Sequence, residues 1–570
     1  MAATLNTIEF SLREFAGSSS NKGLSLYIGS LAKWIHGQDP MDEISYEQDL
    51  ATVKERLESR TYLTSLLDRC LLSNKHRATV DMEPDTKLSE EQEEREKERL
   101  NNVASTLSVE AKEEIDTLCK DLTKWQTCSD PPENVAKLPR LSLENIDRNA
   151  KEYHCRVEPL SLPQHEAVNT PTSFSTSEHN HKPLLSSYDY QKYHGELAAP
   201  LYVSEQATNG IVYTGIHFDA QWVPGSLMYV LPLISLTSFG TSRLDEVQLS
   251  HELGKYTGGV SSGVSTSTVP GSLRDINCQF SVSGKATAEN ASTLVDLMTE
   301  CILDADFSRK DLIKTRLREA LSDMQTDIIS SAHSYMGGYL SSLFTPDGAL
   351  NRRMTGIDHL RFLQKLTKAL DSDDPQVVGE TWNNLYDAMT SLRELIVQQN
   401  NVMLTLKADQ RSMDKIKPQL ENFPSELGTL DKGVVDRATN AGEALLRSIN
   451  VSETFPDCWP KPLSWSEKLS NEKHGLSFEI PSQVNYAGKA LPLYDPGEGS
   501  LGHPLAKGPD EVVSQLLAKT FLWENIRMQG GAYGAFASLN PLNGMMTFMS
   551  FRDPEISKSI EYVFNTIASL

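Results

Sequence analysis

The 570-residue chain is most informative first in what it lacks. No window stays apolar over the roughly 20 residues a bilayer crossing needs. The opening "MAATLNTIEFSLRE" has neither a secretory apolar core nor an Arg- and Ser-rich amphipathic leader. There is no P-loop, no dinucleotide fingerprint and no G-x-S-x-G elbow. Metal-binding helices of the H-E-x-x-H or H-x-x-E-H type are missing too, and "EHNH" at 178–181 sits in a Ser/Thr/Asn-rich loop that reads as solvated. Basic residues are in short supply, with 54 Lys and Arg against 77 Asp and Glu and a net charge of −23. That balance excludes a phosphate-backbone partner. It serves solubility, or it focuses a cationic ligand. Seven cysteines carry no C-x-x-C pair and read as buried free thiols of a reducing compartment.

What is present exceeds one hydrophobic core, since a chain this long divides into roughly two to four domains. Residues 1–85 open on an alternating, strand-like "NTIEFSLRE", pass through the helical "GLSLYIGSLAKWIHG" and close on a second strand-like run, "HRATVDMEPD". Residues 86–133 change character. "SEEQEEREKER" starts with a capping-box pattern, Ser89 to Gln92. A second helix carries Ala111, Ile115, Leu118, Leu122 and Trp125 along one seam. The pair reads as a charged helical hairpin connecting domains.

From 140 to 425 the order is strand "GIVYTGIHFDA", apolar helix "LMYVLPLISLTSF", Gly-opened strand "TGGVSSGVSTST" and strand "CQFSVSGKA". Helices follow through 289–396, and "NVMLTLKAD" closes the unit. From 455 to 570 the order begins again. "LSFEIPSQVNYAGKALPLY" supplies strands, "DEVVSQLLAKTFLWENIR" a helix, and "GGAYGAFASLN" with "GMMTFMSFRDP" a hairpin across "NPLNG". This is an internal repeat of element order rather than of identity, with Gly258-Gly259 in the place of Gly530-Gly531. The last unit stops in the helix after Asp553-Pro554, so the chain reads as cut at both ends.

One stretch holds candidate chemistry, "IRMQGGAYGAF". Its helix offers Val513, Leu516, Leu517, Trp523 and Ile526 as an apolar docking face. Arg527 ends that helix, where a cation suits the dipole without any further role. Gly530 and Gly531 let backbone turn and approach closely. Tyr533 stands at the start of a strand, as an ordinary strand aromatic or as a phenol donor.

"NTIEFSLRE", "GLSLYIGSLAKWIHG", "YTGGVSS", "VNYAGKA", "RMQGGAYGAF" and "FMSFRDP" follow one another in an order that resembles the carboxyl-terminal half of the presequence-protease subfamily of pitrilysin-type zinc metallopeptidases. The resemblance runs through essentially the whole chain. It implies an α+β fold of repeated pitrilysin-type domains, each a mostly antiparallel sheet packed with helices, joined by a helical hairpin. On that pattern 1–85 is the end of the second domain, 86–133 the connector, 140–425 the third domain and 455–570 a shortened fourth. The family's zinc helix belongs to the first domain and matches nothing on this sequence, so zinc is implied for the complete enzyme and no metal ligand for this chain. The chain alone is expected to be inactive and to work with an amino-terminal catalytic half.

The resemblance implies that Arg527 and Tyr533, flanking Gly530, Gly531 and Ala532, reach a bound peptide and stabilise the oxyanion of its tetrahedral intermediate. The implied substrates are targeting presequences and other unstructured, basic peptides, in mitochondrial matrix or plastid stroma. A second reading stays open: a non-catalytic pitrilysin-fold subunit that binds peptides or supports another chain.

Overall fold

The computed structural model describes residues 2–13, 22–43, 45–59, 61–83, 85, 87–140, 142–146, 148–149, 155–161, 198–221, 223–269, 276–428, 432–451, 477–493 and 508–561. They form two compact units, residues 14–151 and residues 1–13 with 152–570.

The 14–151 unit is helical. Its helices Leu88–Thr106 and Val109–Thr127 form at the connector positions. The first starts on Lys87 rather than on a Ser89 capping box, whereas Ser108 caps the second by accepting the Ala111 N–H. Exposed pairs such as Lys97–Glu93 (2.7 Å) and Lys120–Asp116 (2.6 Å) lace the surface at helical spacing. The seam residues Ile115, Leu118, Leu122 and Trp125 are exposed. "HRATVDMEPD" forms no strand: the described part of 76–85 has no ladder partner among the described residues, and β-propensity alone does not make a strand.

The larger unit is built on a six-stranded sheet of order β1-β2-β6-β3-β5-β4. Its strands are β1 (Cys155–Ser161), β2 (Ala198–Glu205), β3 (Ile211–Asp219), β4 (Val260–Thr268), β5 (Ile276–Thr287) and β6 (Val402–Ala408). All neighbours run antiparallel except β2 and β6. Period-2 alternation sends Leu201, Val203, Ile216, Phe218, Phe280, Val282, Leu404 and Leu406 into the core. There they meet helices Ala291–Asp304, Ile357–Leu370 and Pro375–Ile396 through Leu294, Met298, Leu363, Leu366, Leu385 and Met389. Two expectations fail here. The apolar run "LMYVLPLISLTSF" is buried but makes only short 3-10 turns, Gly225–Leu227 and Leu231–Leu233, because Pro232 cannot donate within a longer helix. "NTIEFSLRE" is no strand but the end of helix Ala2–Arg13. Tertiary docking overrides its strand-like pattern: Phe10 is buried against Gly258, and Asn6 Nδ2 donates to Gly254 O (3.0 Å) and Thr257 O (2.6 Å) at the end of helix Glu246–Tyr256.

A second sheet, of order β7-β9-β8, joins β7 (Gly488–Pro492), β8 (Gly534–Leu539) and β9 (Met545–Phe551). Of the strands expected in 477–493 only β7 forms, with a bridge from Asn485 to Asp553 beside it. The repeat is real at the level of topology. In each sheet the strand before a helix lies next to the strand after the Gly-opened one, giving β3-β5-β4 and β7-β9-β8. Fold class is therefore α+β, mostly antiparallel, as expected.

The cysteines correct one expectation. Cys70, Cys119, Cys128 and Cys155 are exposed, and only Cys278 and Cys301 are buried among the described residues. Burial pushes both of those thiols up to about 12, which makes them poor nucleophiles. Cys458 and the 178–181 histidines lie outside the described residues.

Candidate functional site

The helix leading into the Gly-Gly corner starts as an α-helix, Gly508–Leu517, and widens to a π-helix over Ala518–Gln529. The expected docking face is met in part, at Leu517 and Ile526. Leu522 and Ile526 are buried, with Leu517 and Ala518 packed beside them, while Val513, Leu516 and Trp523 stay exposed. The pitch change accounts for Trp523, which lies in the π segment where α-helical spacing no longer holds; Val513 and Leu516 precede it. The buried face meets Ala535, Ala537, Leu539, Met546 and Phe548 of the sheet.

The helix ends on the glycines. A Cβ on Gly530 would stand 2.5 Å from Ile526 O. Gly531 is left-handed at φ 77 and donates its N–H to Arg527 O (3.0 Å). The Ala532 N–H donates to Ile526 O (3.1 Å), and its methyl is buried in the small core. Ala532 is thus an anchor for the corner, with no exposed side chain of its own. The Tyr533 N–H then reaches Phe551 O (3.0 Å), and the tyrosine is 66% exposed.

The corner brings Arg527 and Tyr533 together. The Arg527 guanidinium lies 3.9 Å from the Trp523 ring centroid and 6.0 Å from that of Tyr533. Stacking on Trp523 holds the planar group without neutralising it, because a π face attracts a cation and takes no proton from it. The strand register Gly534↔Phe551 places two residues beside them that motif reading does not single out. Phe551 meets Tyr533 edge-on at 5.7 Å, and the Arg552 guanidinium is 5.9 Å from the tyrosine ring. The signal for both is in "SFRDP", whose place beside the tyrosine becomes visible only once the hairpin register is known.

Behind Phe551 stands His333, at the start of helix Ala332–Ser342. Its ring is edge-on to Phe551 at 4.6 Å and stacked with Phe536 at 5.9 Å. Its Nδ1 is buried without a hydrogen-bond partner among the described residues, and burial lowers the imidazole below its ordinary pKa. The Tyr486 hydroxyl donates to Ile329 O (2.9 Å), near the end of the preceding helix Lys310–Ser330. The aromatic wall behind Tyr533 therefore ties the small sheet to the helices of the larger one.

Among the described residues no three His, Cys, Asp or Glu side chains stand together as a metal site, so those residues do not fit a zinc ion. What the corner offers is one exposed phenol O–H and two guanidiniums, an anion-facing surface with no nucleophile or general base in it.

The family described as associated with peptidase M16, subfamily C, matches residues 82–174 and 182–366, and the "PreP C-terminal domain" matches residues 476–570. "Presequence protease 1, chloroplastic/mitochondrial" of Arabidopsis thaliana is 27% identical over 98% of this chain and 45% of its own length. "Protein HypA" of Clostridium perfringens is 24% identical over 98% of the chain and 49% of its own length. "Presequence protease, mitochondrial" of Yarrowia lipolytica is 25% identical over 95% and 46%. The chain spans about half the length of the curated relatives it matches.

Proposed function

Because the chain belongs to the presequence-protease family of M16 peptidases and matches its carboxyl-terminal half, we propose that it is the substrate-facing half of a zinc metalloendopeptidase. Residues 1–85, 86–133, 140–425 and 455–570 are then the tail of a second domain, the connector, the third domain and part of the fourth. Its substrates are targeting presequences and other unstructured peptides, in mitochondria or plastids. Zinc and the general base belong to an amino-terminal half.

The observation that carries this reading is the exposed Tyr533 phenol at the Gly-Gly corner, with the Arg527 guanidinium 3.9 Å from the Trp523 ring centroid. When a peptide carbonyl is attacked, its oxygen gains negative charge. A phenol O–H donates to that oxygen, and a guanidinium beside it stabilises the charge where water is excluded. Gly530 and Gly531 allow the tight turn at the helix end that leads to Tyr533, and Ala532 anchors the turn below.

The test pairs this chain with a family amino-terminal half and measures turnover of a fluorogenic peptide. Tyr533→Phe should lower kcat by roughly 10²-fold with KM nearly unchanged, because the lost hydrogen bond belongs to the transition state. Arg527→Lys keeps the charge, loses the planar stack and should also be impaired. The unpaired chain should cleave nothing. A Tyr533→Phe enzyme within twofold of the parent would reject the donor role.

A further inference from the structure

We propose that Arg552 forms a carboxylate subsite beside Tyr533, taking a free carboxylate of the bound peptide, either its C-terminus or an acidic side chain. This rests on the peptide-binding reading above and extends it from the scissile carbonyl to a neighbouring part of the ligand.

The first ground is backbone. Three non-glycine residues have positive φ among the described residues: Asn209 (54), Asn450 (53) and Arg552 (49). Asparagine tolerates that region through its short polar side chain, whereas arginine gains nothing locally to offset the Cβ crowding. The conformation at Arg552 is enforced from both sides. Asp553 next to it is buried, donates its N–H to Asn485 O (2.8 Å) and accepts the Asn485 N–H (3.0 Å). Asp553 Oδ1 accepts the Glu555 N–H (2.9 Å). On the other side the Tyr533 N–H is shared between Phe551 O (3.0 Å) and Arg552 O (3.3 Å). Strain held this firmly, at a residue whose side chain is exposed and turned toward the candidate site, is where function is sought.

The second ground is charge. Several surface arginines find carboxylates, among them Arg99 with Glu96 (2.6 Å), Arg318 with Asp371 (2.6 Å) and Arg243 with Glu300 (2.5 Å). Arg527 and Arg552 make no ion pair among the described residues, although the chain has 77 acidic side chains. Both instead lie over aromatic rings: Arg527 over Trp523 (3.9 Å), and Arg552 over Phe551 (5.4 Å) and Tyr533 (5.9 Å). Two uncompensated cations thus flank one phenol on a molecule of net charge −23. A single developing oxyanion is served by Arg527 with Tyr533. The second guanidinium presents its planar fork to a second anion, and a carboxylate is the group a peptide carries that matches the fork in both shape and charge. The protein's overall field repels carboxylates, so a preference for one has to arise locally.

The experiment uses the 570-residue chain and fluorescent unstructured peptides read by anisotropy. One pair differs only in a C-terminal acid or amide; a second pair, both amidated, differs in a single Glu or Gln. The carboxylate member of at least one pair should bind about tenfold tighter, the gain of a charge-assisted contact, and which pair responds identifies the source. Arg552→Asn, which suits the left-handed backbone and so keeps the turn, should erase the difference. Arg552→Lys should retain part of it, and Tyr533→Phe should leave it unchanged. Binding with no carboxylate preference, or a preference that survives Arg552→Asn, overturns the subsite and leaves the peptide-binding reading standing. No measurable binding of any peptide overturns both.

Discussion

Two Gly-Gly corners of one topology meet different fates in this molecule. In both, a helix ends, a glycine takes positive φ (Gly259 at 120, Gly531 at 77) and an edge strand follows. At the first, helix Ala2–Arg13 closes the corner: Phe10 lies where a Cβ on Gly258 would stand, 2.5 Å away, and Asn6 takes up the carbonyls at the helix end. Lys255 and Ser261 occupy the positions equivalent to Arg527 and Tyr533, and Lys255 sits over its own neighbour Tyr256. At the second corner no distant helix among the described residues lies over the glycines: a Cβ on Gly530 would meet only the carbonyls of its own helix end and one on Gly531 would touch Pro554 at 3.5 Å, and the positions carry guanidinium and phenol. The shared backbone supplies an approach. Side chains decide whether the approach is plugged.

The comparison breaks most visibly at Phe10. Phe10→Ala removes a ring that is 4% exposed and should destabilise the chain by about 3–4 kcal/mol. Hydrogen exchange should rise over Ala2–Arg13 first. Unchanged exchange there would mean the plug is not held by this ring. A smaller effect is expected from acid. His359, buried in the helical layer of the larger sheet, is lowered to about 4 by burial. The unfolded chain, titrating near 6.5, binds the proton first, so stability is intact above that pH and falls as pH drops toward 4. The loss should be about 2 kcal/mol between pH 7 and pH 5. Denaturant midpoints of the parent and of His359→Gln at the two pH values check it: equal losses in both would exclude this histidine as the source.

The second corner is legible in sequence because its signals are local. Two glycines, an arginine at a helix end and a tyrosine at a strand start stand within seven consecutive residues, 527–533, and each constrains its neighbour's conformation. Most strands of the six-stranded sheet are legible for the same reason, their alternation being continuous. The first corner's plug is not. "NTIEFSLRE" alternates like a strand, and only a contact across 248 residues, from Asn6 to Gly254, makes it a helix end. The apolar face of the Arg527 helix misleads through pitch, since a π turn moves burial from Trp523 to Leu522. Arg552 lies outside the local window altogether and reaches Tyr533 by strand register.

Asn6 gives a finer handle on the plug. Its amide holds two carbonyls at the end of helix Glu246–Tyr256, one of them at 2.6 Å, and Asn6→Ala should cost about 1 kcal/mol. Thermal unfolding reads this directly. Asn6→Asp reverses donor to acceptor opposite those carbonyls and should cost more than alanine. The reverse ranking would show that the helix docks through Phe10 alone.

The smallest expected effect on stability is at Tyr533, and its smallness is the point. The ring is 66% exposed, its N–H bond to Phe551 O is backbone, and its hydroxyl is not needed by any described neighbour. Tyr533→Phe should therefore change unfolding free energy by no more than about 0.5 kcal/mol, the usual range for an exposed substitution. If the two corners differ as argued, Phe10→Ala and Tyr533→Phe fall at opposite ends of one scale: the first costs stability, the second leaves it intact while lowering turnover in the paired enzyme. Should Tyr533→Phe instead lower the unfolding midpoint as far as Phe10→Ala does, the second corner would be a structural device like the first, and the contrast between them would collapse.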